Sequence, residues 1–259
     1  MSTPVASKMS GAIDLLGLNL HPVSVDEVHR FISEVIRRHE KALVLHLNIH
    51  GVNLALKHKW LKQFINESQL VFCDGDGVRW GARLLGWMVP PKITYDRWIW
   101  QLADFCERQN YRLFFLGAKP GVALLAAERL KTRYPKLQVV GVKDGYFQKE
   151  GVENEWVLAE INTKKPDILI VGLGMPIQER WLLENWKRCD VHVFLTGGAV
   201  FDYASGQVRR APEWMIRSNL EWLFRFSQEP RRLFTRYVFG IPVFFFRVVL
   251  KKLKQGKKI

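Results

Sequence analysis

Cysteine is scarce: the 259 residues hold Cys73, Cys106 and Cys189, an odd and widely spaced set with no C-x-x-C pair. Such a set offers no disulfide framework and suits a reducing compartment. The polar first stretch, residues 1–11, lacks the apolar core of a signal peptide, so the expected location is the cytoplasm. H-E-x-x-H and G-x-S-x-G are both missing, which makes zinc proteolysis and serine hydrolysis poor candidates. A complete G-x-G-x-x-G is missing too, because after Gly172-Leu-Gly174 the third glycine's position is Ile177, followed by Gln178 and Glu179. An NAD-dependent dehydrogenase is thereby disfavoured. No fixed-period repeat or low-complexity linker occurs, and 48% hydrophobic with 25% charged residues is globular usage.

Acidic residues almost vanish from the end of the chain. Residues 207–259 carry thirteen Lys plus Arg against three Glu, a net of +10 out of the total +14, which leaves +4 for the first 206 residues. The same segment holds ten aromatic residues, among them Trp214, Trp222, Tyr237 and the run Phe244-Phe245-Phe246. Rings that sink to the acyl boundary beside cations that meet anionic headgroups suit a peripheral membrane surface. Glu213, Arg217, Glu221 and Arg225 fall at i, i+4 steps, and this alternating ladder predicts one amphipathic helix over about 213–227. Pro230 ends it, and Arg231, Arg232 and Arg236 gather next. Residues 238–250 are then apolar except for Arg247 and interrupted by Gly240 and Pro242. A bilayer crossing needs roughly 20 apolar residues, so this stretch is expected to lie in the interface. Lys251, Lys252, Lys254, Lys257 and Lys258 would hold it there. A core helix followed by a solvated charge run is the competing reading. Nucleic acid is disfavoured as a partner, because binding a single strand calls for no apolar run of this length.

Through the rest of the chain short apolar runs alternate with helical patterns. Strand-like runs occur at 43–47, 70–73, 113–116, 138–142, 168–171 and 191–195. Helical patterns occur at 25–38, opened by the capping box Ser24 to Glu27, and at 97–109, 122–134 and 178–188. This alternation predicts an α/β fold, a Rossmann-like parallel sheet with helices on both faces over residues 1–206. A basic amphipathic helical appendage, 207–259, follows the compositional break near Gly206.

Ligands of such sheets sit at the carboxyl ends of the strands, so the turns there carry the argument. Gly117-Ala-Lys-Pro-Gly121, Gly172-Leu-Gly174-Met-Pro176 and Thr196-Gly197-Gly198 are three glycine turns on that edge, which favours a phosphorylated or nucleotide ligand. Cys73-Asp74-Gly75-Asp76-Gly77 supplies the sharpest chemistry. A carboxylate at a strand end is exposed to a ligand and can act as a base. Asp74-Gly-Asp76 also spells D-x-D, a metal–diphosphate pattern, so magnesium or manganese at Asp74 and Asp76 is an open alternative. His46 and Asn48 end the preceding strand and are expected beside the same edge.

Gly172-Leu-Gly-Met-Pro-Ile-Gln-Glu-Arg-Trp181, Gly197-Gly-Ala-Val-Phe-Asp202, Gly206, Arg210-Ala-Pro212, Leu220-Glu-Trp222, Gln228-Glu-Pro-Arg-Arg-Leu233 and Arg236-Tyr237 occur in that order. With Asp144-Gly-Tyr-Phe147 and Asp74-Gly-x-Gly77, this series resembles the WecG/TagA/CpsF glycosyltransferase family across roughly residues 13–237. The resemblance implies an inverting transferase that moves a sugar from a nucleotide donor, UDP by expectation, to a polyprenyl-diphosphate-linked sugar on the cytoplasmic membrane face. In that pattern Asp74 is the general base, Asn48 and His46 stand beside it, and Gln178 sits at the substrate site. Gly117, Gly172, Gly174, Gly197, Gly198 and Asp202 would surround the donor. Arg210, Arg225, Arg231, Arg232 and Arg236 would close over its diphosphate, so no metal cofactor is expected. His46 stands where the family usually has Thr, and Tyr95 where it often has Gly, which leaves N-acetylmannosamine, a uronic acid and glucose all open as the sugar. Self-association is open as well. A noncatalytic nucleotide-binding protein of the membrane surface is the competing reading from another class.

Overall fold

The computed structural model describes residues 3–218 and 220–256. The side chains of Arg217 and Arg232 lie outside that description, as do Lys257 and Lys258. A hairpin of β1 (Ile13–Leu15) and β2 (Leu18–Leu20) opens the fold, followed by α1 (Val25–Arg37) and β3 (Ala42–Leu47). Next come α2 (Ile49–Lys57), α3 (Lys59–Glu67), β4 (Leu70–Cys73), α4 (Asp76–Leu84) and α5 (Tyr95–Gln109). The central part runs β5 (Arg112–Gly117), α6 (Val122–Arg133), β6 (Gln138–Lys143), α7 (Gly151–Lys164), β7 (Ile168–Gly172) and α8 (Ile177–Asn185). After β8 (Val193–Thr196) and α9 (Val200–Ser205), the basic segment forms α10 (Glu213–Arg217), α11 (Glu221–Gln228), α12 (Pro230–Phe234) and α13 (Gly240–Gly256).

The six longer-range strands form one parallel sheet in the order β4-β3-β8-β7-β5-β6. Each of the expected strands is present, and the Ser24–Glu27 capping box opens α1 as its spacing requires. The hairpin and α2, α3, α4 and α7 carry no such signal, their apolar spacing being too short or too mixed to stand out. Side-chain alternation divides the sheet between two cores. Leu43, Leu45 and Leu47 of β3 face α2, α3 and α8, while Ala42 and Val44 face α1, α5, α6 and α9. Burial on both faces explains why the strands read as unbroken apolar runs. Parallel pairing puts every strand's carboxyl end on one edge.

The basic segment departs from expectation in two ways. Residues 213–227 are two helices with a break between them, and the two glutamates of the charge ladder pair outside it. Glu213 turns to Arg97 and Arg210, Glu221 pairs with Lys92 at 2.8 Å, and Arg225 faces Glu229. An exposed i, i+4 pair is worth only about 0.3–0.5 kcal/mol, so the part-buried pairing of Glu221 with Lys92 wins. The apolar run is also continuous: α13 starts at Gly240, and Pro242 occupies its first turn, where the missing N–H leaves no helical bond unmade.

One face of α13 is packed on the sheet layer rather than left for the interface. Phe244 and Val248 have no exposed surface and belong to the core that covers β3 and β4. The Phe244 ring lies against the backbone of α4 so closely that a Cβ at Gly81 would come within 2.4 Å of it. Glycine is required there by that approach. Polar ties flank the contact: the Asn53 side chain donates to the Gly240 carbonyl at 2.8 Å and accepts from Arg247 at 3.0 Å, and Lys251 pairs with Asp14. Phe244→Ala is expected to cost about 3–5 kcal/mol and to bring amide exchange in α13 to the fraying limit. Phe246→Ala, on the exposed side of the same helix, is expected to stay within about 0.5 kcal/mol in urea unfolding.

Candidate active site

A cleft of about 800 Å³ runs along the carboxyl edge of the sheet. One wall comes from the ends of β3, β4, β7 and β8, and the facing wall from α11, the turn before α13 and the start of α13. Asn48 and Asp74 define its reactive corner. Asn48 caps α2, its side-chain oxygen accepting from the Gly51 N–H at 3.0 Å. Its amide nitrogen then donates to Asp74 Oδ2 at 3.3 Å, so one side chain both starts a helix and orients the carboxylate. Gly75, at φ +97°, turns the chain away immediately after Asp74 and leaves the carboxyl group on the cleft wall.

His46 lies beside that carboxylate. Its Nδ1 is 2.8 Å from the Thr196 carbonyl and 2.9 Å from Thr196 Oγ1. A carbonyl can only accept, so this network assigns the proton to Nδ1 and leaves Nε2 an acceptor. Nε2 stands 4.0 Å from Asp74 Oδ2. Burial holds the imidazole below its ordinary pKa despite the pull of Asp74, which keeps it neutral at pH 7. Two acceptors therefore stand side by side, either of which could accept from a hydroxyl placed there. Tyr95 packs edge-on to His46 with ring centroids 5.5 Å apart, and its hydroxyl has no hydrogen-bond partner among the described residues. Burial pushes that phenol far above its usual pKa.

The D-x-D pattern does not present two open carboxylates. Asp76 is held by Lys92 at 2.7 Å, with Arg79 3.9 Å away. Lys92 also donates to Glu221 of α11, so one ammonium joins the turn after β4 to the basic segment. Burial would lower the Lys92 pKa, but the hydrogen bonds it donates to Asp76 and Glu221, with their charges, outweigh it and raise the value.

Gly172, Gly174, Gly197, Gly198 and Asp202 line the cleft, whereas Gly117 does not: its backbone abuts Gly172 where β5 and β7 end. Gln178 is also off the wall. Its fully buried side chain accepts from the Gly198 N–H at 3.0 Å and donates to Glu179 at 2.7 Å, so it supports the β8 turn from behind. Burial raises the Glu179 carboxyl to about 7, and its second oxygen has no described partner.

Of the five arginines expected over a diphosphate, Arg225 and Arg236 line the cleft. Arg225 lies over the Tyr203 ring at 5.3 Å. Arg236, together with burial, brings the neighbouring His50 down to about 4. Arg210 is drawn instead to Asp96 at 3.1 Å and to Glu213, because the buried Asp96 carboxylate needs a counter-charge. Arg231 is exposed on α12, and the Arg232 side chain lies outside the described residues. Lys92, Glu221, Trp222 and Tyr237 line the cleft without having been singled out. Glu221, Trp222 and Tyr237 lay within recognisable motifs, but Lys92, in a loop between Pro91 and Ile93, carried no signal.

Comparison with known proteins places the chain in a family. The model of the glycosyl transferase WecG/TagA/CpsF family matches residues 13–258. A protein of Bacillus subtilis (strain 168), named N-acetylglucosaminyldiphosphoundecaprenol N-acetyl-beta-D-mannosaminyltransferase, is 31% identical over 204 residues, 78% of this chain and 77% of that protein. A protein of the same name from Staphylococcus aureus (strain MW2) is 24% identical over 249 residues, 95% of each. A noncatalytic binding protein and a dehydrogenase both fall away against this match. Matched from residue 13 to residue 258, the chain belongs to the WecG/TagA/CpsF family of glycosyltransferases.

Proposed function

We propose that this glycosyltransferase moves a hexose-type sugar, with inversion, from a UDP-linked donor to a sugar carried on a polyprenyl diphosphate in cell-surface polysaccharide synthesis. One observation carries the reading: a strand-end carboxylate, Asp74, and two arginines from the basic segment, Arg225 and Arg236, share one cleft. The relatives named for a diphosphoundecaprenol acceptor support the lipid-linked partner. The acceptor hydroxyl sits between Asp74 and His46 Nε2, and its oxygen attacks the anomeric carbon from the side opposite the diphosphate. The new carbon–oxygen bond forms as the bond to the phosphate oxygen breaks, and the hydroxyl proton passes to Asp74. Arg225 and Arg236 stabilise the negative charge that develops on the departing nucleoside diphosphate. Gln178 acts by positioning the Gly197–Gly198 turn.

No divalent cation is needed in this scheme, since Lys92 already neutralises Asp76 and the arginines serve the diphosphate. The work is done at the inner face of the membrane. Among the described residues no helix is long and apolar enough to cross it, and the cations of α13 attract the enzyme to anionic lipid.

A screen of UDP-linked N-acetylmannosamine, uronic acid and glucose with a lipid-diphosphate sugar acceptor tests the reading; release of UDP from none of them overturns it. With the active donor, Asp74→Asn is expected to lose about 10²- to 10⁴-fold in kcat with donor binding kept, and Asp76→Asn much less. Arg225→Ala and Arg236→Ala are each expected to lose about 10²- to 10³-fold in kcat, with Arg231→Ala near wild type. EDTA is expected to leave turnover nearly intact, and complete loss restored by magnesium would return the D-x-D pattern to a metal role.

A further inference from the structure

Apolar side chains are exposed on a second element beside α13. On α4 Trp80 and Leu84 are 42% and 41% exposed, and in the loop that follows Trp87 and Met88 are 40% and 81% exposed. Trp80 and Leu84 lie one helical turn apart on α4, and Trp87 and Met88 follow in the loop beyond its end. On α13 itself, Phe246, Val249 and Leu253 point away from the packed face and are 64%, 47% and 59% exposed. The two elements are packed neighbours. Between them opens the cleft, with Trp80 lining it from α4 and Phe245 from α13.

Charge decides what covers this surface. Residues 77–95 contain no acidic residue, and of their cations Arg83 is exposed while Arg79 and Lys92 turn to Asp76 and Glu221; residues 240–256 contain no acidic residue either. A surface of rings and aliphatic chains edged by cations of one sign repels a second copy of itself and complements an anionic bilayer. Tryptophans at its margin match the depth that indole rings favour at the headgroup level.

We propose that residues 80–88 form a second membrane-insertion element, which holds the cleft mouth against the bilayer so that the acceptor's prenyl chain stays in lipid while its sugar enters between α4 and α13. This rests on the lipid-linked acceptor of the proposed function. It makes membrane contact part of substrate delivery rather than only an anchor.

The experiment compares the full chain with Trp87→Ser, Met88→Glu and Phe246→Glu in sedimentation with vesicles of phosphatidylglycerol and phosphatidylcholine. Each substitution removes one inserting side chain, and two add a repelled charge, so each is expected to lower partitioning about tenfold or more. Turnover with a long-chain acceptor in vesicles falls in parallel, while turnover with a water-soluble short-chain acceptor stays at the wild-type level and confirms the fold. Independently of any folding effect, brominated acyl chains are expected to quench the wild type more than Trp87→Phe, since Trp87 supplies the difference. Wild-type partitioning by Trp87→Ser and Met88→Glu while Phe246→Glu detaches would leave α13 as the sole anchor and overturn the proposal. Equal quenching of wild type and Trp87→Phe would overturn it too, as would a wild-type dimer that Met88→Glu dissociates. If the wild type binds no vesicle at all yet still releases UDP, the membrane reading beneath the proposal fails while the transferase reading stands.

Discussion

Burial of Phe244 and Val248 against α4 makes the basic end of the chain a wall of the cleft. The last helix has no core of its own, and it shares the one that covers β3 and β4. Burying a phenylalanine is worth about 2–3 kcal/mol, enough to seat a helix whose surface cations repel one another. Once α13 is seated, the turn carrying Arg236 and Tyr237 and the helix carrying Arg225 must pass over the strand ends. Asn53 reinforces the placement by bonding to both the start and the middle of α13.

A second tie operates inside the cleft. Lys92 joins Asp76 of the β4 turn to Glu221 of α11, and in doing so balances two carboxylates on the cleft wall. The cleft is thereby divided. Asp74, with Asn48 and His46, forms an accepting corner, and Arg225 and Arg236 form a cationic corner. In the proposed reaction the first takes the acceptor hydroxyl and the second the leaving diphosphate, and opposite charges held apart by a rigid sheet edge would be preorganised for moving a proton one way and negative charge the other.

Much of this was legible in the sequence, for reasons particular to each element. Strands buried on both faces write themselves as unbroken apolar runs, so the parallel sheet could be read directly, as could its carboxyl-edge turns at Asp74, Gly172 and Gly197. A capping box is a local motif, and α1 begins where it says. The accumulation of cations and rings after residue 206 needed only counting. Family motifs in register supplied the reaction class, since they report chemistry that spacing alone leaves open.

Tertiary structure decided the rest, because it depends on which distant groups compete for one another. Glu213 and Glu221 of the expected ladder pair outside it, since Lys92, Arg97 and Arg210 reach the two glutamates first. Arg210 was diverted to Asp96, and Gln178, expected at the substrate site, was buried behind the β8 turn. The apolar run around Phe244 could have lain wholly in lipid or wholly in a core, and its periodicity suits both. Gly81, with room for a ring and nothing more, settled that one face packs on the protein and the other stays exposed. Sequence by itself fixes what each segment prefers locally, whereas only the folded chain determines which partner each buried charge and ring obtains.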